Sequence, residues 1–215
     1  MSAVTAHHQE TSPAMSATLT ARSDVGSDVV DNRLAYALFA FAYVFGHGLN
    51  AVSFGGATFL PPWLSWTLLA AGFAAGTVVS TVTAVRAQRS MAEPARTSAR
   101  LLGAAWVTGF TGLFFVITGL SVSTGAPDLQ LVLWPTGSAL VVGLITIAEG
   151  SLRRDRLHYA LGTLLTVLGG VALMLPPLAT LVVMTVGGGG AYVLAVFLAY
   201  RRHSSSPAVL EGRAS

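Results

Sequence analysis

The chain has 215 residues, 53% of them hydrophobic and only 10% charged, with a mean hydropathy of +0.67. A soluble domain carries about 25% charged residues, so this chain cannot cover a surface facing water, which excludes an ordinary soluble enzyme, a nucleic-acid-binding domain and a disordered tail protein. The net charge of +3 does not point to nucleic acid either, because all 12 basic residues are arginines, mostly in short clusters between apolar runs, the layout of membrane loops.

Residues 1–31 are rich in Ser, Thr, Ala, Asp and Val without a sustained apolar run, and read as a disordered cytoplasmic tail. No basic stretch followed by a short apolar core marks a signal peptide there. His7-His8 could take up a stray metal, but solvated tail residues are the simpler reading. Six apolar segments follow, at Leu34–Val52, Trp63–Val85, Leu101–Val122, Leu131–Glu149, Leu157–Leu175 and Leu178–Tyr200. Each approaches the roughly 20 residues that cross a hydrocarbon core as a helix, and none alternates like a barrel strand. The expected fold is an all-α integral membrane protein, with six transmembrane helices arranged as three hairpins over residues 32–203. Residues 204–215 are expected as a second disordered cytoplasmic tail.

Arginine placement sets the expected orientation. Arg33 precedes the first segment; Arg86, Arg89, Arg96 and Arg100 separate the second and third; Arg153, Arg154 and Arg156 separate the fourth and fifth; Arg201 and Arg202 follow the sixth. The loops on the other side carry no Arg and only Asp128, so the positive-inside rule puts both termini in the cytoplasm. Tyr36, Trp106, Tyr159 and Tyr200 fall near the cytoplasmic interface, and Trp63, Trp66 and Trp134 near the outer one, as aromatic belts do. The openings Arg33-Leu-Ala-Tyr-Ala-Leu38 and Arg156-Leu-His-Tyr-Ala-Leu161 agree at five of six positions. They indicate either a parallel repeat of hairpins or simply a common way to start a helix at an interface.

Small residues crowd several segments: Gly72 and Gly76 in the second, Gly169 and Gly170 in the fifth, and Gly187, Gly188, Gly189 and Gly190 in the sixth. Each helical glycine costs about 1 kcal/mol against alanine, so close helix packing should offset it; a hinge or broken helix at a cavity is the alternative. Two polar residues are candidate functional groups. Glu149 is the only acidic residue within an apolar segment, and Arg153 one helical turn on can pair with it; an ion or proton site is the alternative. His47, between Gly46 and Gly48, lies about 21 Å past Arg33 along a helix and is the only histidine deep in a span. It is either a hydrogen-bonded interior side chain or a proton shuttle or pH sensor. A direct relay between His47 and Glu149 is not expected, since their depths should differ by about 15 Å.

No metal motif, P-loop, nucleophile elbow or pair of membrane aspartates occurs, and with no Cys there is no thiolate site. No catalytic or metal-binding residue and no cofactor is expected. The third hairpin combines Gly162, Gly169-Gly170, an apolar Pro176-Pro177 turn, Gly187 to Gly190 and a basic Arg201-Arg202 end, and the fourth segment runs through Gly143 to Glu149-Gly150 and Arg153-Arg154. This pattern, over residues 131–202, resembles the HdeD-like acid-resistance membrane proteins of bacteria. The first hairpin differs in offering Gly46 and Gly48 around His47 instead of an adjacent glycine pair. The resemblance implies six spans in three hairpins with cytoplasmic termini, and a stress- or acid-tolerance role in the cytoplasmic membrane. Three functions therefore compete. The first is a non-enzymatic protein acting through the bilayer, a second copy of itself or another membrane protein. The second is a subunit for small-solute transport or a channel, which a cavity at His47, the span threonines and Gly187–Gly190 would favour. The third, an enzyme acting on lipids, lacks a nucleophile or metal set.

Overall fold

Long apolar runs in this sequence leave the backbone one economical solution, because only a helix satisfies every N–H and C=O within its own segment. A computed structural model describes residues 31–56 and 61–204, and among them there are helices and turns but no strand. The two tails, with His7 and His8, lie outside the described residues. Helix α1 spans Arg33–Phe54, α2 Pro62–Ser90, α3 Ala95–Thr124, α4 Leu129–Arg153 and α5 Arg156–Ala172. Helix α6 runs through Pro177–Val183, a π-helical turn at Met184–Gly188 and Gly189–Ser204.

Five of these helices, all but α5, are long and apolar enough to cross a membrane. The outward faces of the bundle are apolar too: Val107, Phe115, Val122 and Val186 are each more than 60% exposed. Such side chains facing outward fit a lipid environment and would be a liability in water. The protein is thus an all-α membrane protein. Helix α5 is shorter than its apolar run, 17 residues ending at Ala172 rather than Leu175. The backbone leaves the helix through turns at Leu173–Leu175, since Pro176-Pro177 disfavours helical conformation in the residue before it. Pro177 then opens α6 and Pro62 opens α2, where the missing N–H is harmless. Elsewhere the helices outrun their apolar segments: α2 continues to Ser90 and α3 begins at Ala95.

Helices α4 and α5 form the tightest hairpin. The α4 helix closes in a Schellman-like turn in which the Asp155 N–H donates to the Gly150 carbonyl at 2.9 Å and Arg154 adopts a left-handed φ of 54°. Asp155 then caps α5, its carboxylate accepting from the backbone of Leu157 at 2.9 Å and of His158 at 3.4 Å. Glycines set the closeness of the pair. A methyl group at Gly169 would lie 2.7 Å from the Thr136 carbonyl oxygen and 2.8 Å from the Leu140 nitrogen. Gly143 and Gly162 face each other with equally little room.

Helix α1 packs between α2 and α6, and α3 lies outermost, touching chiefly α4. Tyr43, Leu165, Met184 and Tyr192 centre the core where α1, α5 and α6 meet, with Ala139 of α4. Helix α1 is also interrupted by a π-turn, Ala42–His47, which contacts the π-turn of α6. Such turns widen a helix and re-aim the side chains that follow.

The glycines divide into two groups. Gly72 meets Ala42, Gly76 meets Phe39, Gly187 meets Leu168, Gly188 meets the Tyr43 ring and Gly189 meets Val44. Gly170 and Gly190 have nothing within contact of an added methyl group, so close approach does not account for them. The similar openings at Arg33 and Arg156 also sit in different surroundings: Tyr36 is 5% exposed in the core, whereas Tyr159 is 48% exposed. Tyr36 is therefore not a belt residue; its hydroxyl is held inside the bundle by His158.

Candidate functional site

Two polar clusters stand out, one holding Glu149 and the other His47. The first is paired among the described residues except at Arg153 Nη1. The Arg153 guanidinium lies 2.8 Å from Glu149 Oε1, and His158 Nε2 lies 3.2 Å from Glu149 Oε2. The Tyr36 hydroxyl lies 2.7 Å from His158 Nδ1. One neutral tautomer serves both contacts, with Tyr36 donating to Nδ1 and the Nε2–H donating to Glu149. The chain thus ties α1, α4 and α5 together. Close by, Arg202 of α6 donates to the Asp155 carboxylate at 3.0 Å. Burial pushes the Asp155 carboxyl up, but the Arg202 guanidinium and the capped amides of α5 outweigh it and hold the group below its ordinary value. Every member of this cluster that a ligand would need is already engaged by the protein, so its chemistry is that of a clasp.

The second cluster is open. His47 ends the π-turn of α1, and Asn50 and Ser53 follow on the same helical face at successive turns. His47 is 3% exposed and Asn50 9%. The Ser65 hydroxyl of α2 donates to Asn50 Oδ1 at 2.8 Å. Among the described residues nothing pairs with His47 Nδ1, Asn50 Nδ2 or Ser53 Oγ, although all three atoms are buried. A buried polar group without a partner costs about 1–3 kcal/mol, and one side of a helix carries three.

These atoms border a cavity of about 440 Å³. Its walls come from α1, α2, α4 and α6 and include Tyr43, Phe54, Trp66, Phe73, Trp134 and Leu181. Among the described residues no acidic side chain and no Arg lines it. Phe54 and Trp66 are themselves half exposed, so the cavity reaches the outside of the bundle there. Pro135, also in the wall, breaks the regular bonding of α4, since it has no N–H to give the Leu131 carbonyl. Tyr43 packs its ring on His47 with centroids 5.2 Å apart and Phe73 stands edge-on at 6.4 Å, fixing the imidazole in place.

The two residues singled out by sequence thus lie in separate clusters with different character, Glu149 paired and His47 unpaired. Gly188 abuts Tyr43 and so backs the His47 wall indirectly, while Gly187 to Gly190 do not line the cavity. The span threonines do not line it either. Asn50, Ser53 and Ser65 were missed from the sequence; their signal was the polar spacing after His47 in an apolar run. Tyr36 reads from the sequence as an interface residue, but its link through His158 to Glu149 is visible only in the fold. Among the described residues no group of three His, Asp or Glu side chains is arranged to hold a metal ion. Compared with protein-family models, curated proteins and solved structures, the chain matches none.

Proposed function

We propose that the protein admits a small uncharged solute to the His47 cavity and serves as a transport subunit of the bacterial cytoplasmic membrane rather than as an enzyme. The observation that carries this reading is the cavity bordered by His47, Asn50 and Ser53, whose Nδ1, Nδ2 and Oγ atoms are buried and have no partner among the described residues. Buried polar groups are normally satisfied, and a ligand in this cavity would complete these. An acyl-transfer reading has little support, because His47 Nδ1 engages no serine hydroxyl.

The topology that goes with this reading has six spans and cytoplasmic termini. It is supported by the one-sided arginines and by the tight α4–α5 turn, which makes α5 return antiparallel to α4. At 1.5 Å per residue α5 is about 26 Å long, close to the thickness of the hydrocarbon core. A reporter active only outside the cytoplasm, fused after Ser215, should stay silent; a strong signal refutes this topology.

Binding is tested on the purified full-length protein by thermal unfolding with uncharged solutes such as glycerol, urea and formamide and with uncharged ring compounds. At least one should raise Tm in wild type and not in His47→Ala. If none does, the cavity is not a binding site.

Stress or acid tolerance, implied by the HdeD-like resemblance, is a second reading favoured by the presence of an imidazole buried within a span. A deletion strain that survives acid as well as its parent would remove it.

A further inference from the structure

The cavity is specific enough in its chemistry to name a class of ligand, and the following rests on its being a binding site. Three properties restrict the occupant. It is uncharged, because among the described residues no ionised side chain lines the walls and a charge without a partner is expensive in a membrane interior. It brings hydrogen-bond acceptors, because the Asn50 amide offers unpaired N–H groups while its own oxygen is already taken by Ser65, and the Ser53 hydroxyl can donate alongside it. It is flat and aromatic, because Tyr43, Phe54, Trp66, Phe73 and Trp134 surround the space with rings. The half-exposed Phe54 and Trp66 at its edge lie on helices with lipid-facing apolar surfaces, which suits entry from the bilayer rather than from water.

We infer that the His47 cavity binds a membrane-dissolved quinone, its ring between the aromatic walls and its carbonyl oxygens accepting from Asn50, Ser53 and the His47 imidazole. Donors on α1 lie along one face at successive turns, so they reach along one edge of the ring. A cavity of about 440 Å³ exceeds a bare ring head and leaves room for the start of an isoprenoid tail, which would leave past Phe54 and Trp66. The neutral ring suits walls that offer no counter-charge, and the carbonyls meet the three orphaned atoms with the opposite hydrogen-bonding role.

The test uses the full-length protein in detergent and four probes: menadione, 2-methylnaphthalene (the same ring without carbonyls), benzyltrimethylammonium and glycerol. Binding is read as the shift in Tm by circular dichroism, and for menadione also as saturable quenching of tryptophan fluorescence. Menadione should raise Tm and quench saturably, with 2-methylnaphthalene at least tenfold weaker. Trp134→Phe should reduce the quenching, whereas Trp106→Phe should leave the affinity unchanged. Asn50→Leu should weaken menadione at least tenfold, and Ser53→Ala, the milder change, about threefold, with Tm in the absence of ligand reporting whether each variant is folded.

Equal binding of the two ring compounds, unchanged menadione affinity in both variants, or tighter binding of the ammonium each overturns the quinone assignment. If glycerol or 2-methylnaphthalene stabilises wild type but menadione does not, the quinone fails while the cavity remains a solute site. If no probe binds, both the assignment and the underlying reading fail.

Discussion

The α4–α5 hairpin and the α1–α6 pair are built from the same materials, leucine-, valine- and glycine-rich helices with a few polar side chains, yet they use them in opposite ways. In α4–α5 the glycines bring backbone against backbone and every polar group of the Glu149 cluster bonds to another part of the protein, apart from Arg153 NH1. In α1–α6 both helices are widened by π-turns, the glycines meet bulky rings and side chains, and three polar atoms beside a cavity have no partner among the described residues. The difference separates a structural pair from an open one: the first gains stability from satisfied contacts, and the second leaves polar groups without a partner among the described residues.

The largest effect should come from forcing the structural pair apart. Gly169→Ala places a methyl against the backbone of Thr136 and Leu140, atoms that cannot swing aside. Overpacking of this kind costs about 1–3 kcal/mol, and thermal unfolding in detergent should show a clearly lowered Tm. Gly190→Ala meets nothing and should be neutral or stabilising by up to about 1 kcal/mol, through helix propensity. Gly188→Ala should fall between, since it presses on the Tyr43 ring. Equal effects at Gly169 and Gly190 would erase the distinction between the two regions.

Next comes the clasp. Glu149→Leu leaves Arg153 and His158 facing an apolar residue, and the Glu149 side chain is only 16% exposed. Removing one member of a well-buried ion pair costs about 3–5 kcal/mol, and partial exposure should bring this nearer to about 2 kcal/mol. The double change Glu149→Leu with Arg153→Leu should recover part of the loss, because no uncompensated charge then remains at that pair. A double variant no better than the single one would show that His158, not Arg153, is the partner that matters.

Hydropathy made the helices legible but not their ends. Apolar runs near 20 residues long announce a span, yet the extensions of α2 to Ser90 and α3 from Ala95 use Arg, Gln and Ser, which suit a helix without raising hydropathy. The early end of α5 follows from Pro176-Pro177, a signal that was readable as a turn but not as one that reaches back to Ala172. In the site, His47 was legible because a histidine deep in an apolar run is rare. Asn50 and Ser65 were not, because amides and hydroxyls in spans usually bond within the bundle, and only the fold reveals which ones border a void. The link from Glu149 to His158 depends on the two-residue turn at Arg154-Asp155, whose left-handed arginine no residue pattern announced. Tyr36 and Tyr159 occupy matching places in similar sequences and still end up in different environments, since neighbouring helices decide burial.

The clasp also makes an acid-dependent prediction. Asp155 is held below its ordinary carboxyl value, burial pushing it up but Arg202 and the capped amides prevailing. A group depressed in the folded state binds fewer protons there than when unfolded, so its contribution is fully present above its unfolded value of about 3.9 and is lost as pH falls through the folded one. Wild-type Tm should therefore decline below about pH 4 more steeply than that of Asp155→Asn. At neutral pH that variant should lose about 1 kcal/mol or less, as weakened caps do. Parallel acid profiles would mean that Asp155 is no better held in the folded protein than in the unfolded chain.

The smallest effect has the opposite sign and bears most directly on the open pair. Ser53 is half-buried, but its Oγ is fully enclosed and unpaired among the described residues. Serine in a helix interior is already somewhat less favourable than alanine, by a few tenths of a kcal/mol, and an unsatisfied hydroxyl adds the loss of its water contacts. Ser53→Ala removes both penalties and leaves a space no larger than one oxygen, next to a cavity that exists anyway. Its Tm without ligand should therefore rise slightly, by the equivalent of a few tenths to about 1 kcal/mol, where every change to the Glu149 clasp lowers Tm. A protein that becomes more stable when a polar side chain is deleted, while binding its ligand less well, keeps that side chain for the ligand. A loss of stability in Ser53→Ala would instead mean that the hydroxyl has a partner in the folded protein, and that the α1 face is a second clasp rather than an open site.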